Sequence, residues 1–351
     1  MRLVLTENLK EDMELAKPIY DNGNILLNKG VKNLYKYKDK LLSLGIKHLY
    51  VNDQYSNDIE INDAIKDSTR REGKEIVKDT FKKIKGGFLD LNVKNLKNVV
   101  DDITSELVLN EEILVNLVSL KSTSSYTYEH SVNVSVICIA LGKMLGHNKD
   151  DLFKLGMGGM LHDIGKTLIP EEILNKPSSL TDHEYEVMQQ HPELGFKYLQ
   201  EIDSISPLSR IVVFSHHERV DGSGYPRGLA GKEIHEFARV AAIADVFDAL
   251  TSDRVYRNKW PTYKAAEYIM NNTEKLFDYT LVKKLLPQIS FYPNGSEVIL
   301  SNGYRALVKD QNVGFPTRPI VRLIEDDEGN KIKESLDLLK HMNIVITKVI
   351  V

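Results

Sequence analysis

The sequence predicts a mainly α protein: a helical core between a small α/β module on its N-terminal side and a small β-rich domain on its C-terminal side. Three observations predict it. Helical periodicity dominates residues 113–290, short apolar runs alternate with turn signals over residues 1–60, and β-type runs separated by turns follow Pro293. At 351 residues the chain is long enough for two or three compact units, each with a core of its own.

In the accessory module, residues 1–60, the stretches Asp21–Asn24 and Asn28–Gly30 mark turns, and Val31 to Leu44 reads as a helix stopped by Gly45. Residues 61–112 are charged and helical, with Val77, Phe81 and Ile84 at helix spacing before Gly86-Gly87, the pattern of a connecting segment. Within 113–290, Thr181 and Glu184 are spaced as a capping box, Glu184 to Leu199 reads as one helix, and Ser206 precedes Pro207 at a helix start. In the β-rich stretch, residues 291–351, Asn302-Gly303 and the acidic turn ending at Gly329 separate the strands.

Composition narrows the function. Hydrophobic residues make up 42% and charged residues 27%, the balance of a folded globular protein rather than a disordered or fibrous one. No run approaches the roughly 18 apolar residues that span a bilayer. Acids at Glu7, Glu11 and Asp12 come too early for a secretory leader, so the expected compartment is the cytoplasm. A net charge of −4 gives no overall attraction for nucleic acid. The single cysteine, Cys138, lies in the apolar run Val134–Leu141; it excludes an internal disulfide and reads as a packed thiol rather than a nucleophile.

The chemistry concentrates in five histidines and two aspartates. His130 shares the apolar stripe of Val134, Ile137 and Leu141. His162 follows Leu155 and Gly159, with Asp163 beside it, in a segment where Gly156, Gly158 and Gly159 permit close helix approach. His191 lies between Met188 and Leu194 on an apolar face, His216 and His217 close the helix from Pro207, and Asp245 sits on the stripe of Phe237, Ala241 and Ala244. Any one of them alone reads most simply as a hydrogen-bonded core residue. Together they would leave several unsatisfied groups in one interior, at a cost on the order of several kcal/mol for each unpaired charge, unless one or two divalent ions compensate them. Nitrogen and oxygen donors without thiolate suit Fe or Mn, with Zn not favoured by any sulfur ligand. Asp163 is placed to bridge two ions, and a pair roughly 3.5–4 Å apart suits activation of hydroxide for in-line attack on a phosphodiester.

Three further features point to the substrate. Lys166, one helical turn beyond His162, suits stabilisation of developing charge on a phosphate oxygen. In the loop Asp221-Gly222-Ser223-Gly224-Tyr225-Pro226 the two glycines permit left-handed backbone, and Tyr225 is held beside proline as a wall for a base or a hydroxyl donor. Arg254 and Arg257 could clamp phosphates or stack on guanine. The bland alternatives are a solvated lysine, a structural turn and surface salt bridges.

His162-Asp163-Ile164-Gly165-Lys166, then residues 216–226, then residues 244–257 resemble the HD-GYP cyclic di-GMP phosphodiesterases of the HD hydrolase superfamily. The resemblance covers about half the chain and implies an HD-type metal-dependent hydrolase core that opens cyclic di-GMP to linear pGpG, and on to GMP in some products. Carried over, the metal ligands fall on His130, His162, Asp163, His191, His216, His217 and Asp245, with Asp163 and Lys166 catalytic and Lys166, Tyr225, Arg254 and Arg257 at the substrate. Relatives with a third metal carry a glutamate four residues before the first histidine. Tyr126 stands there, which favours two ions. Val220 and Val255 replace an aromatic residue and a proline usual in the family, changes that bear on pocket shape. The alternatives are another ring, such as mixed cyclic GMP-AMP, or a non-catalytic receptor or scaffold. Implied partners are the cyclic dinucleotide, a diguanylate cyclase or other signalling protein, and a second copy in a homodimer.

Overall fold

The computed structural model describes residues 1–21, 24–61, 63–86, 93–109, 126–252 and 259–350. Strands β1 (Arg2–Leu5), β2 (Glu14–Leu15) and β5 (His48–Asn52) form an antiparallel sheet in the order β1-β5-β2, while β3 (Ile19–Asp21) and β4 (Asn24–Leu27) pair as a separate ribbon. Val4, Leu15, Leu34, Leu41, Leu49 and Val51 fill the space beneath the sheet. Helix α1 is only Lys38–Ser43, because Asn33 takes a left-handed φ of 56° and the next turn is 3₁₀; Gly45, at φ 75°, ends it where the sequence places the stop.

Eleven further helices follow among the described residues: α2 (Asp67–Lys85), α3 (Val93–Leu109), α4 (Tyr126–Met144), α5 (Lys149–Leu161), α6 (Glu171–Leu174), α7 (Asp182–Met188), α8 (His191–Gln200), α9 (Pro207–Ser215), α10 (Glu236–Thr251), α11 (Thr262–Asn271) and α12 (Tyr279–Leu285). Helix α4 is the axis, and residues 129–142 are buried on every face. Val132, Val136 and Ile139 meet Val77, Phe81, Val99 and Val100 of α2 and α3, whereas Val134, Ile137 and Leu141 meet Val240, Ala244 and Ile269 of α10 and α11. The segment expected to connect two units thus contributes one side of the helical core. A helix apolar all round is one enclosed by neighbours, which a one-stripe reading cannot convey.

The glycines of α5 serve close approach as expected. A Cβ on Gly156 would lie 2.4 Å from Ile139, and one on Gly158 would lie 2.6 Å from Val212. The capping box at Thr181 and Glu184 and the Ser206 cap are both formed. The expected single helix over Glu184–Leu199 is instead α7 and α8. Pro192 lacks an N–H, so the ladder stops at Met188 and restarts at His191.

Strands β6 (Glu297–Leu300), β7 (Arg305–Asp310), β8 (Ile320–Glu325), β9 (Lys331–Asp337) and β10 (Ile346–Val349) make an antiparallel sheet ordered β10-β6-β7-β8-β9. Gly303 and Gly329 turn the chain at φ 86° and 88°. Val298, Ala306, Val308 and Val321 join the same core as α10–α12. This sheet also docks onto the N-terminal one. The buried Arg2 side chain bridges Asp53 (2.7 Å) and Glu297 (2.9 Å), Arg322 grips Asp58, and Ile59 packs on Leu307 and Ile324.

Candidate metal centre

Five elements deliver the seven expected ligands to one interior. His130 projects from α4, and His162 and Asp163 follow the C-terminal end of α5. His191 opens α8, His216 and His217 follow α9, and Asp245 lies on α10. Donor atoms of Asp163, His191, His216 and His217 lie within 4.8 Å of one another, and so do those of His130, His162 and Asp245. The rings are interlocked: His162 lies 5.0 Å, centroid to centroid, from both His130 and His216.

The outer atoms of the rings fix their tautomers. Nδ1 of His162, His191 and His216 lies 2.8, 2.7 and 2.9 Å from the carbonyl oxygens of Gly159, Met188 and Val213. A carbonyl only accepts, so each Nδ1 carries a proton and each Nε2 points inward. Burial lowers the pKa of His191 and His216, so these rings are neutral at pH 7; Asp163 offsets only part of that lowering. Their Nε2 atoms nevertheless face each other at 3.4 Å, and buried His162 Nε2 and Asp163 Oδ1 have no hydrogen-bond partner. Two lone pairs at that separation repel unless a cation lies between them. The donor set therefore fits a divalent metal, and these clusters are compatible with its binding.

The carboxylates are charged. Burial works to raise Asp163, but His162 and Lys166 hold it well below the usual carboxylate range, and His130 does the same for Asp245 against its own burial. His130 stands apart from the other rings. Burial opposes its protonation, yet hydrogen bonds to Asp245 (Nε2, 3.1 Å) and Asp248 (Nδ1, 2.7 Å) prevail and raise it to about 9. His217, lowered well below its ordinary value by burial and by His216, faces Asp245 through Nδ1 at 3.9 Å.

These shifts have opposite linkage signs. His191, His216 and His217 are depressed, so the stability they contribute is present above pH 6.5, their ordinary value, and falls away as the pH drops. His130 is raised, so its contribution is present below pH 6.5 and lost as the pH climbs towards about 9. The metal-stripped protein is therefore expected to be most stable near neutrality, with urea midpoints lower at both pH 5.5 and pH 9. A midpoint rising monotonically across that range would contradict the assignment.

Lys166 is not a lysine on the His162 helix face. It lies in a 3₁₀ turn, Ile164–Leu168, because the helical ladder ends at Leu161, and its Nζ donates to Asp163 Oδ2 at 2.7 Å. In the Asp221–Pro226 loop only Gly222 takes positive φ (81°). Gly224 is needed for space, since a Cβ there would lie 2.3 Å from the Arg219 nitrogen. Tyr225 stacks over His217 at 4.7 Å between ring centroids, so it borders the cluster. Arg254 and Arg257 lie outside the described residues, as does the Tyr126 side chain.

Sequence reasoning missed four residues. Buried Glu218 accepts the Arg227 and Leu229 N–H groups at 2.9 Å each and shapes the loop from within. Asp248 orients His130, and Asn133 donates to Asp248 at 2.9 Å. Gly165 packs against the His191 backbone. Only Asp248 had a usable signal: an acid three residues after Asp245 in an apolar helix.

Residues 112–281 match the family model of the HD domain, and residues 297–351 match a KOW domain associated with HD domains. The fold is shared with Bd1817, an HDG"Y"P protein from Bdellovibrio bacteriovorus, at a TM-score of 0.52 and 19% identity over 81% of this chain and 97% of that one. The central helical region is an HD domain. Its His162–Lys166 and Asp221–Pro226 motifs are the ones on which the chain resembles the HD-GYP kind. The chain is 38% identical to the cyclic di-GMP phosphodiesterase PA4108 of Pseudomonas aeruginosa over 63% of its own length and 53% of the relative's. It is 44% identical to the 3′3′-cGAMP-specific phosphodiesterase 1 of Vibrio cholerae over 41% of its length and 33% of the relative's. It thus spans about half or less of these relatives. No helix among the described residues is long and apolar enough to cross a membrane.

Proposed function

We propose that the chain hydrolyses a phosphodiester bond of cyclic di-GMP to give linear pGpG, lowering a second messenger in the cytoplasm. The observation that supports this most is the inward set of Nε2 lone pairs and carboxylates, two donor groups side by side in an HD domain. We assign His130, His162 and Asp245 to one ion and Asp163, His191, His216 and His217 to a second, with Fe or Mn matching the nitrogen and oxygen donors. Bound there, two divalent ions would supply Lewis acidity and activate water at neutral pH.

The chain's own residues do the rest. Lys166, anchored on Asp163, holds an ammonium at the rim of the cluster, where it offsets charge on the phosphoryl oxygens. Tyr225 walls the site beside His217, and Arg254 and Arg257 contact the substrate phosphates or guanine. A water oxygen bonds to phosphorus, the P–O3′ bond breaks, and the 3′ oxygen takes up a proton. A diguanylate cyclase and a second copy of the chain are the proposed protein partners.

Identity to a cGAMP-specific relative favours the mixed ring as the second reading. The test is anaerobic purification, metal analysis and chromatography of products formed from cyclic di-GMP and from 3′3′-cGAMP. About two ions per chain with pGpG as the faster product is the expected result. Faster opening of the mixed ring reassigns the substrate, and full metal occupancy with neither ring cleaved makes the chain a receptor.

A further inference from the structure

A guanidinium buried in a protein interior is always charged and needs acceptors on several sides. Arg70 of α2 is such a group, 8% exposed, and it lies outside every motif that carries the chemistry. Its Nη1 donates to Oδ1 of Asn133, a buried amide one turn along α4 from His130. The other end of that amide, Nδ2, donates to Asp248 Oδ1 at 2.9 Å, and Asp248 Oδ2 receives His130 Nδ1 at 2.7 Å.

We propose that Arg70 is a positioning residue of the metal centre, acting through Asn133 and Asp248 to fix the ring of His130. The inference rests on the reading of the cluster as a metal site. The chain of groups alternates in the one sense that satisfies all of them: cation to amide oxygen, amide nitrogen to carboxylate, carboxylate to imidazole. The Asn133 amide accepts from the arginine through its oxygen and donates to the aspartate through its nitrogen, and each bond polarises the next. With Nδ1 committed to Asp248, His130 presents Nε2 to the group it shares with His162 and Asp245.

The backbone is arranged for this reach. Gly73, nearly one turn beyond Arg70 on α2, lies close against α4, and a Cβ there would lie 3.2 Å from Val132 Cγ2. On the outer side of α2, Arg71 covers the ring of Tyr20 at 4.2 Å. The β3–β4 ribbon of the N-terminal module therefore rests on the residue next to the one that steadies His130.

The test is binding of Mn(II) to the metal-stripped protein, measured by competition with a chelator, with thermal unfolding of the same samples. Outer partners of metal-bound histidines are worth about 10–100-fold in affinity. Arg70→Met should weaken one of the two sites by about that factor and leave the other unchanged, and Arg70→Lys, which keeps the charge and a donor, should recover part of the loss. If Arg70→Met does not fold, Asn133→Ala carries the same test, since it removes the bridge while favouring helix. A folded Arg70→Met or Asn133→Ala protein that binds both ions with wild-type affinity overturns the proposal. A wild-type protein that binds no Mn(II), and no Fe(II) under anaerobic conditions, would instead sink the metal reading itself.

Discussion

Replacing His162 and Asp163 together with alanine is expected to abolish bound metal and to lower cyclic dinucleotide hydrolysis by on the order of a thousandfold or more, while the helical circular dichroism persists. The expectation follows from position. Asp163 is the one carboxylate of the group that holds His191, His216 and His217, and His162 belongs to the other, so the double change removes a donor from each. The fold should survive in metal-free buffer, because both residues face the cluster rather than the apolar contacts of α4 and α5. Wild-type turnover in the variant would remove the basis of the functional reading.

Gly165→Ala is expected to have nearly as large an effect without touching a donor. A Cβ at Gly165 would lie 1.9 Å from the His191 carbonyl oxygen and 2.6 Å from the Gly195 nitrogen, both backbone atoms that no side-chain rotation can move away. The 3₁₀ turn carrying Lys166 must therefore separate from the start of α8, taking Asp163 away from His191, now 3.4 Å distant. Overpacking of this kind costs about 1–3 kcal/mol, occasionally more. Displacement of a donor by about 1 Å is expected to cost activity on the order of a hundredfold. Metal content and thermal midpoint should fall together in Gly165→Ala, and a variant that keeps both would show that the turn can yield.

The contrast between these substitutions marks how far the sequence could be read. All seven residues were visible because helical spacing puts a histidine or aspartate on an apolar face or at the end of an apolar helix, and the structure brings every one of them into two adjoining groups. The glycines of α5 were legible for the same reason. The role of Gly165 was not, because it depends on a backbone oxygen 26 residues away in sequence. Asn133 was hidden by the burial of α4 on all sides, which erases the polar face that periodicity seeks. The break before His191 was signalled by Pro192 and overridden by the apolar spacing around it.

The docking of the two sheets has a consequence for synthesis of the chain. Arg2 meets Glu297 across 295 residues, and Arg322 meets Asp58 across 264. At about 5–20 residues per second, the first strand leaves the ribosome tens of seconds before its partner exists. Through that interval Arg2 has Asp53 but not Glu297, and Ile59 lacks Leu307 and Ile324. Long-range closure of this kind also slows refolding from denaturant relative to helical proteins of local topology.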